Sequence, residues 1–222
     1  HVYEETGQDR LVYAGGVALN SAFNGKILDK TPFNDVWIQP AASDCGGSLG
    51  AATYLNHQVS DNEVEEMKTV SLGPAYHDKD IQEYLNTQNI QYKHYTDQTQ
   101  LINEVAEKIS ENRVVAVCRG RMEWGPRALG NRSILANPCD PEAKTRLNDH
   151  IKHREQFRPF APSVQAEHAN KYFDVPDNPH LTDYMLAVHD VKPDWQEDLP
   201  SITHVNGTAR LQTVKSSRQP WF

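Results

Sequence analysis

The sequence predicts an α/β fold, and two stretches carry that expectation. In the first, an apolar run at residues 11–14 breaks at Gly15-Gly16. A second extended run at 35–40 then leads through Ser43-Asp44 into the small-residue segment Cys45-Gly46-Gly47-Ser48-Leu49-Gly50-Ala51-Ala52. In the second stretch, the helical spacing of Leu101, Ile102, Val105, Ala106 and Ile109 is followed by the apolar strand 114–118. Strand, turn, strand, glycine-rich helix start, then helix and strand again is the grammar of helices packed on a sheet. With 222 residues, 38% of them hydrophobic, the chain can bury one large core or two modest ones.

Taken in order, residues 11–14 read as a buried strand entering the Gly15-Gly16 turn, and a brief helix follows Val17-Ala18-Leu19-Asn20. Residues 35–40 are a second strand, with Ser43 and Asp44 offering an N-cap to the small-residue helix. The polar, aperiodic stretch 57–74, with Ser60-Asp61-Asn62 and Gly73-Pro74, reads as a linker between a unit at 1–56 and one at 75–222. Ile81, Tyr84 and Leu85 fit a short helix, and the amphipathic helix after it is capped near Thr96 or Asp97. The strand 114–118 delivers the chain into Arg119-Gly120-Arg121-Met122-Glu123-Trp124-Gly125-Pro126-Arg127-Ala128-Leu129-Gly130-Asn131-Arg132-Ser133. A further short helix over 141–151 leads to Lys152-His153-Arg154-Glu155-Gln156-Phe157-Arg158-Pro159-Phe160-Ala161-Pro162.

Charge narrows the function class. The net charge is −8, yet residues 113–158 hold eight Arg and two Lys against five acidic residues, a balance of +5 that leaves −13 for the rest. An acidic chain with one arginine-dense island is built less like a nucleic-acid binder than like an enzyme concentrating cations at a compact anionic ligand; a salt-bridged, solvated face is the alternative. Nothing approaches the ~20 apolar residues of a membrane span, and residues 1–10 are too polar for a signal peptide, so a cytoplasmic location is expected. Cys45, Cys118 and Cys139 are three in number and widely spaced, indicating neither a disulfide framework nor a zinc knuckle.

Arginine recognises phosphate and carboxylate bidentately and stays charged at physiological pH. Arg127 and Arg132 sit in a loop punctuated by Gly and Pro, and Lys152, Arg154 and Arg158 precede a Pro-x-x-Pro segment whose first proline biases Arg158 away from helix. These cations can clamp two phosphate groups, or they can form ion pairs with Glu123, Asp149 and Glu155. Gly15-Gly16 suits a nucleotide-contacting turn or an ordinary tight loop, and Asp44 suits a helix cap or a metal ligand. His150 and His153 lack the surroundings of a zinc enzyme. His204 opens Val205-Asn206-Gly207-Thr208-Ala209-Arg210, a turn that either presents Arg210 to a ligand or is only a turn.

Together, 14–20, 39–47, 120–133, 154–162 and 204–210 resemble the NodU and TobZ type of O-carbamoyltransferase in order and spacing. The 39–47 and 120–133 motifs are far more specific than a glycine pair. The resemblance implies the C-terminal part of an actin-like, TsaD-like ATPase domain at 1–56, then most of a YrdC-like α/β domain at 75–222, each incomplete here. It implies that the YrdC-like domain makes carbamoyl adenylate from carbamoyl phosphate and ATP, with Mg2+ as the nucleotide's accompanying ion. The TsaD-like domain would then pass the carbamoyl group to a small-molecule hydroxyl near bound iron. Arg127, Lys152, Arg158 and Arg210 match the positions that handle carbamoyl phosphate and nucleotide phosphates. Arg121, Arg132, Arg154 and His204 fall in the same motifs as nucleotide-binding candidates, Gly15, Gly16 and Asn20 match the nucleotide turn, and Asp44 matches a metal ligand. Two further histidine ligands of that metal would lie upstream of His1, so the chain alone is not expected to run the full reaction. A non-catalytic carbamoyl-phosphate receptor and a tRNA-threonylcarbamoylation relative are the other readings.

Overall fold

The computed structural model describes residues 1–60, 67–176 and 179–222. Strands β1 (Arg10–Tyr13) and β2 (Asp35–Ile38) lie parallel, with Leu11 opposite Val36 and Tyr13 opposite Ile38. Between them the chain makes three one-turn helices. Asn20 closes the first and caps the second, its Oδ1 accepting from the Phe23 N–H at 3.1 Å. The two-residue period of β2 turns Val36 and Ile38 inward and leaves Asp35 and Trp37 outward. Ile27, Val36 and Ile38 share one hydrophobic cluster with Leu181, Leu186 and Ala187, so the first and last parts of the chain build a core in common. Each such large side chain buried contributes about 1.5–3 kcal/mol.

The small-residue segment is helical as expected, over Gly47–Val59, but its start differs. It is entered through a 3-10 turn, Asp44–Gly46, and Ser43 makes no capping bond. None of its residues is buried. The expected linker includes 61–66, which lie outside the described residues. On its far flank the main chain is stitched to the 121–124 segment: Trp124 N–H donates to Val70 O at 2.7 Å, Met122 N–H to Pro74 O at 2.9 Å and Gly73 N–H to Met122 O at 2.9 Å.

Helices Asp78–Thr87 and Gln98–Ser110 follow, the second capped by Asp97, whose carboxylate accepts from the Thr99 N–H at 2.8 Å. Strand β3 (Val115–Cys118) pairs antiparallel with β4 (Arg132–Leu135). The expectation of a buried strand at 114–118 is corrected here: Ala116 and Cys118 are exposed, because β3 has one strand neighbour and helix Gln98–Ser110 packs against it. Helix Ala143–Leu147 runs into a π turn, Asn148–Lys152, ended by His153 at φ 47°. Strand β5 (Ser163–Gln165) is followed by β6 (Phe173–Asp174), β7 (His189–Val191), β8 (Thr208–Ala209) and β9 (Gln212–Val214). β5 pairs parallel with β9, and β6, β7 and β8 form an antiparallel sheet over the cluster of Phe173, Val191, Ile202, Ala209 and Leu211. The class is therefore mixed α/β, delivered as several small sheets. Among the described residues no helix is long and apolar enough to cross a membrane.

Candidate functional site

Three loops meet at the site. The first leaves β3 and returns in β4. At Gly125, with φ 115°, a Cβ would stand 3.3 Å from the Ala41 Cβ and 3.5 Å from the Pro40 oxygen, so the loop lies directly on the first segment. Glu123 is 8% exposed, and one of its oxygens accepts the N–H groups of Leu129 at 2.7 Å, Asn131 at 2.8 Å and Arg132 at 3.4 Å. Arg132 donates to the carbonyls of Arg119, Asn131, Pro74 and Gly120 at 2.6, 2.9, 3.3 and 3.2 Å, and Arg121 donates to those of Gly73, at 3.0 Å, and Leu72. Both guanidinium groups are thus turned to main chain. Arg127, between them, reaches the cavity and donates from Nη2 to Leu19 O at 3.0 Å.

The second loop follows the π turn. Asn148, fully buried, donates to Arg158 O at 3.0 Å and Gln156 O at 3.4 Å, and its own Oδ1 accepts from Arg154 Nε at 2.7 Å. Arg154 also lies 4.8 Å from the Phe160 ring centroid, a cation–π contact. Of the ion pairs the sequence allowed with Glu123, Asp149 and Glu155, only Arg158 with Glu155 forms among the described residues, at 2.8 Å and half exposed. An exposed pair of this kind contributes at most about 1 kcal/mol. Asp149 instead accepts from the Gln156 amide. The third loop is a β-turn closed by Gly207 N–H to His204 O at 2.9 Å, with His204 Nδ1 3.0 Å from Thr208 Oγ1.

These loops enclose a cavity of about 540 Å3 lined by Arg127, Lys152, Arg154, Arg158, His204 and Arg210, with Ser21, Ser133, Phe160 and Gln212 between them. Its electrostatics are those of crowded cations. Burial first, then Arg127 and Arg154, push Arg210 down to about 10. Burial lowers Arg127, and burial followed by Arg158 lowers Arg154. His204 is lowered by burial, then by Arg210 and Lys144. The Nε atoms of Arg127 and Arg210 are buried without a hydrogen-bond partner among the described residues. A second cavity, of about 400 Å3 beneath helix Gln98–Ser110, is walled mainly by apolar side chains such as Ile102, Ile109, Leu147 and Ile202, and offers an anion little.

The remaining sequence candidates lie beyond the cavity wall. Gly15 has φ 101° and open space where a Cβ would stand, and its N–H donates to Ala42 O at 2.7 Å. Gly16 opens the first one-turn helix, and the Asn20 side chain is engaged as a cap. This turn touches the site through Leu19, by way of Arg127. Asp44 is exposed, and among the described residues no group of three or more His, Cys, Asp or Glu is arranged to hold a metal ion. A single carboxylate does not make an iron site. Asn148 and Gln212 escaped sequence reasoning. Gln212, 2% exposed, joins the loops by donating to Leu129 O at 3.1 Å and accepting from Ser163 Oγ at 3.0 Å. A lone amide outside any motif carries no signal of such a role.

Fold and cavity together define an α/β protein with a pocket walled by four arginines and a lysine. The chain belongs to the carbamoyltransferase family: residues 1–53 match the family model described as carbamoyltransferase N-terminus, and residues 106–222 the one described as carbamoyltransferase C-terminus. It is 41% identical to "Uncharacterized protein sll1178" of Synechocystis sp., covering 100% of this chain and 40% of that protein. It is 41% identical to "Nodulation protein NolNO" of Sinorhizobium fredii, covering 96% and 32%, and 38% identical to "Nodulation protein NolO" of Bradyrhizobium diazoefficiens, covering 100% and 41%. The chain therefore spans 32–41% of the length of these curated relatives.

Proposed function

We propose that this chain is the phosphate-handling part of an ATP-dependent O-carbamoyltransferase, and that its cation-lined cavity receives carbamoyl phosphate and the phosphates of ATP. One observation carries the reading: Arg127, Lys152, Arg154, Arg158 and Arg210 line a single cavity in which two guanidinium Nε atoms are buried without a partner among the described residues. Buried donors without acceptors are costly, and mutually repelling cations more so, unless an anion lies among them. A volume of about 540 Å3 suits a nucleotide-sized ligand.

The chemistry asks for such a cluster. Water cleaves carbamoyl phosphate to carbamate and inorganic phosphate. A carbamate oxygen then bonds to the α-phosphorus of ATP while the bond from that phosphorus to the pyrophosphate oxygen breaks, giving carbamoyl adenylate and pyrophosphate. Both partners in that step are anions, so fixed cations must bring them together and hold the charge that develops. A hydroxyl of a small-molecule acceptor finally takes the carbamoyl group, releasing AMP and a proton. On this reading 75–222 is YrdC-like and makes the adenylate, and 1–56 belongs to the TsaD-like transfer domain, whose nucleotide turn at Gly15, Gly16 and Asn20 is tied to the cavity through the Arg127 bond to Leu19 O. Asp44 would bring one ligand to an iron ion and needs others from outside this chain.

ATP–pyrophosphate exchange that depends on carbamoyl phosphate, measured on the longer protein, tests the reading; absence of exchange overturns it. On the chain itself, calorimetric titration with carbamoyl phosphate is expected to give binding that weakens as salt rises, since partly exposed charges are screened over about 8 Å at physiological ionic strength.

A further inference from the structure

We infer that Glu123 is a positioning residue that presets Arg127 for the anion, acting through the main chain of its loop. The inference rests on the function proposed above. An acidic side chain in the middle of an arginine island would be expected to neutralise one of the arginines. Glu123 does not: among the described residues it has no ion pair, and a single carboxylate oxygen gathers the N–H groups of Leu129, Asn131 and Arg132 at 2.7, 2.8 and 3.4 Å. The carboxylate thereby closes the chain of residues 123–132 into a ring with Arg127 on its free arc. The base of the ring is held from outside, by Asn131 Nδ2 on Ser71 Oγ at 2.7 Å and Arg121 O at 2.8 Å, and by Arg132 on the carbonyls of Arg119, Pro74 and Gly120. Its far side rests on Pro40 and Ala41 at Gly125, whose φ of 115° strains any side chain and where a Cβ would press on the Ala41 Cβ at 3.3 Å.

The consequence is a division of labour within one motif. Glu123, Arg121 and Arg132 spend their polar groups on the backbone and Asn131 on Ser71 Oγ and Arg121 O, which leaves Arg127 fixed at its root with one guanidinium bond, to Leu19 O, and with its Nε buried without a partner among the described residues. A guanidinium held in place before the ligand arrives loses little side-chain freedom on binding, and electrostatic preorganisation of this kind is what anion sites depend on. An isosteric amide keeps an oxygen where the three N–H groups need it, whereas a shorter carboxylate keeps the charge and withdraws the oxygen. Geometry and charge are therefore separable.

The test is calorimetric titration of carbamoyl phosphate into the chain and into Glu123→Gln, Glu123→Asp, Glu123→Ala, Arg127→Ala and the Glu123→Ala/Arg127→Ala pair, with near-UV circular dichroism verifying the folded state of each. Glu123→Gln is expected to bind within about threefold of the unaltered chain, and Glu123→Asp and Glu123→Ala on the order of tenfold more weakly or worse. The pair is expected to bind no more weakly than Arg127→Ala alone, because a residue acting through another adds nothing once that other is gone. Should Glu123→Ala fail to fold, Glu123→Asp paired with Arg127→Ala carries the same comparison. Full affinity in Glu123→Asp, loss in Glu123→Gln equal to that in Glu123→Asp, or additive losses in the pair would each overturn the positioning role while leaving the function intact. Failure of the unaltered chain to bind overturns the function itself.

Discussion

Arg127 and Arg210 show what a single side chain costs and gives in this site. Arg210 is pushed down to about 10 by burial and by two neighbouring arginines, and its Nε has no partner among the described residues, so without an anion it opposes folding. Arg210→Met keeps the volume and removes both penalties. It is expected to raise the thermal stability of the ligand-free chain, by about 1–2 kcal/mol, and to abolish the stabilisation that carbamoyl phosphate gives the unaltered chain. Differential scanning calorimetry with and without carbamoyl phosphate checks both halves; a less stable, ligand-responsive variant would contradict them. Arg127→Ala is expected to lower carbamoyl-phosphate-dependent exchange in the longer protein by about a hundredfold or more, equivalent to ~3 kcal/mol of transition-state stabilisation. Initial rates at saturating ATP measure it.

At the scale of elements, the three loops rather than the strands make the site, and two of them are each held by one buried polar residue. Asn148 does for the 152–158 loop what Glu123 does for 123–132, ordering three main-chain and side-chain partners from a fully buried position. Asn148→Ala is expected to destabilise the fold by ~2 kcal/mol and to weaken carbamoyl phosphate by about tenfold, with Lys152→Ala then costing less than in the unaltered chain. Urea unfolding and titration of the single and paired variants check this. The contrast explains which parts were legible in the sequence. Arg127, Lys152, Arg154, Arg158 and Arg210 line one cavity; the sequence put the first four in a cation-rich island and Arg210 in a separate turn, and left open whether the island clamps an anion or forms ion pairs. Arg121 and Arg132 have the same chemistry and the same loop, yet face carbonyls, because residue type gives no direction and the direction depends on Leu72, Gly73 and Pro74, some fifty residues upstream. Helix Gln98–Ser110 and its Asp97 cap were readable since both signals are local. The exposure of β3 was not, because it depends on how many strands lie beside it.

At the scale of the whole molecule, the shared core places a titratable group where it governs stability. His189 is 7% exposed on β7, in a cavity also lined by Asn24, Lys26, Asp29, Lys30, Asp174 and Asp190. Its Nε2 is buried without a hydrogen-bond partner among the described residues, and burial pushes it down to about 4 against the weaker upward pull of Asp29 and Asp190. Above pH ~6.5 the imidazole is neutral in both folded and unfolded chains and contributes nothing to the pH dependence. Between about 6.5 and 4 the unfolded chain takes up a proton that the folded one refuses, so stability falls as pH falls, by up to ~3 kcal/mol. Against the 5–15 kcal/mol that holds a typical domain, this is a large share. The titrating group sits where the first segment meets the last, since this cavity is walled by Asn24, Lys26 and Asp29 on one side and by Asn170, Asp174, Val188 and Asp190 on the other. His189→Phe keeps a ring of similar shape and removes the titration. In urea unfolding at pH 7 and pH 4.5, the unaltered chain is expected to lose about 2–3 kcal/mol more than His189→Phe between the two conditions. Equal losses in the two proteins would mean that other groups, not His189, set the acid limit of the fold.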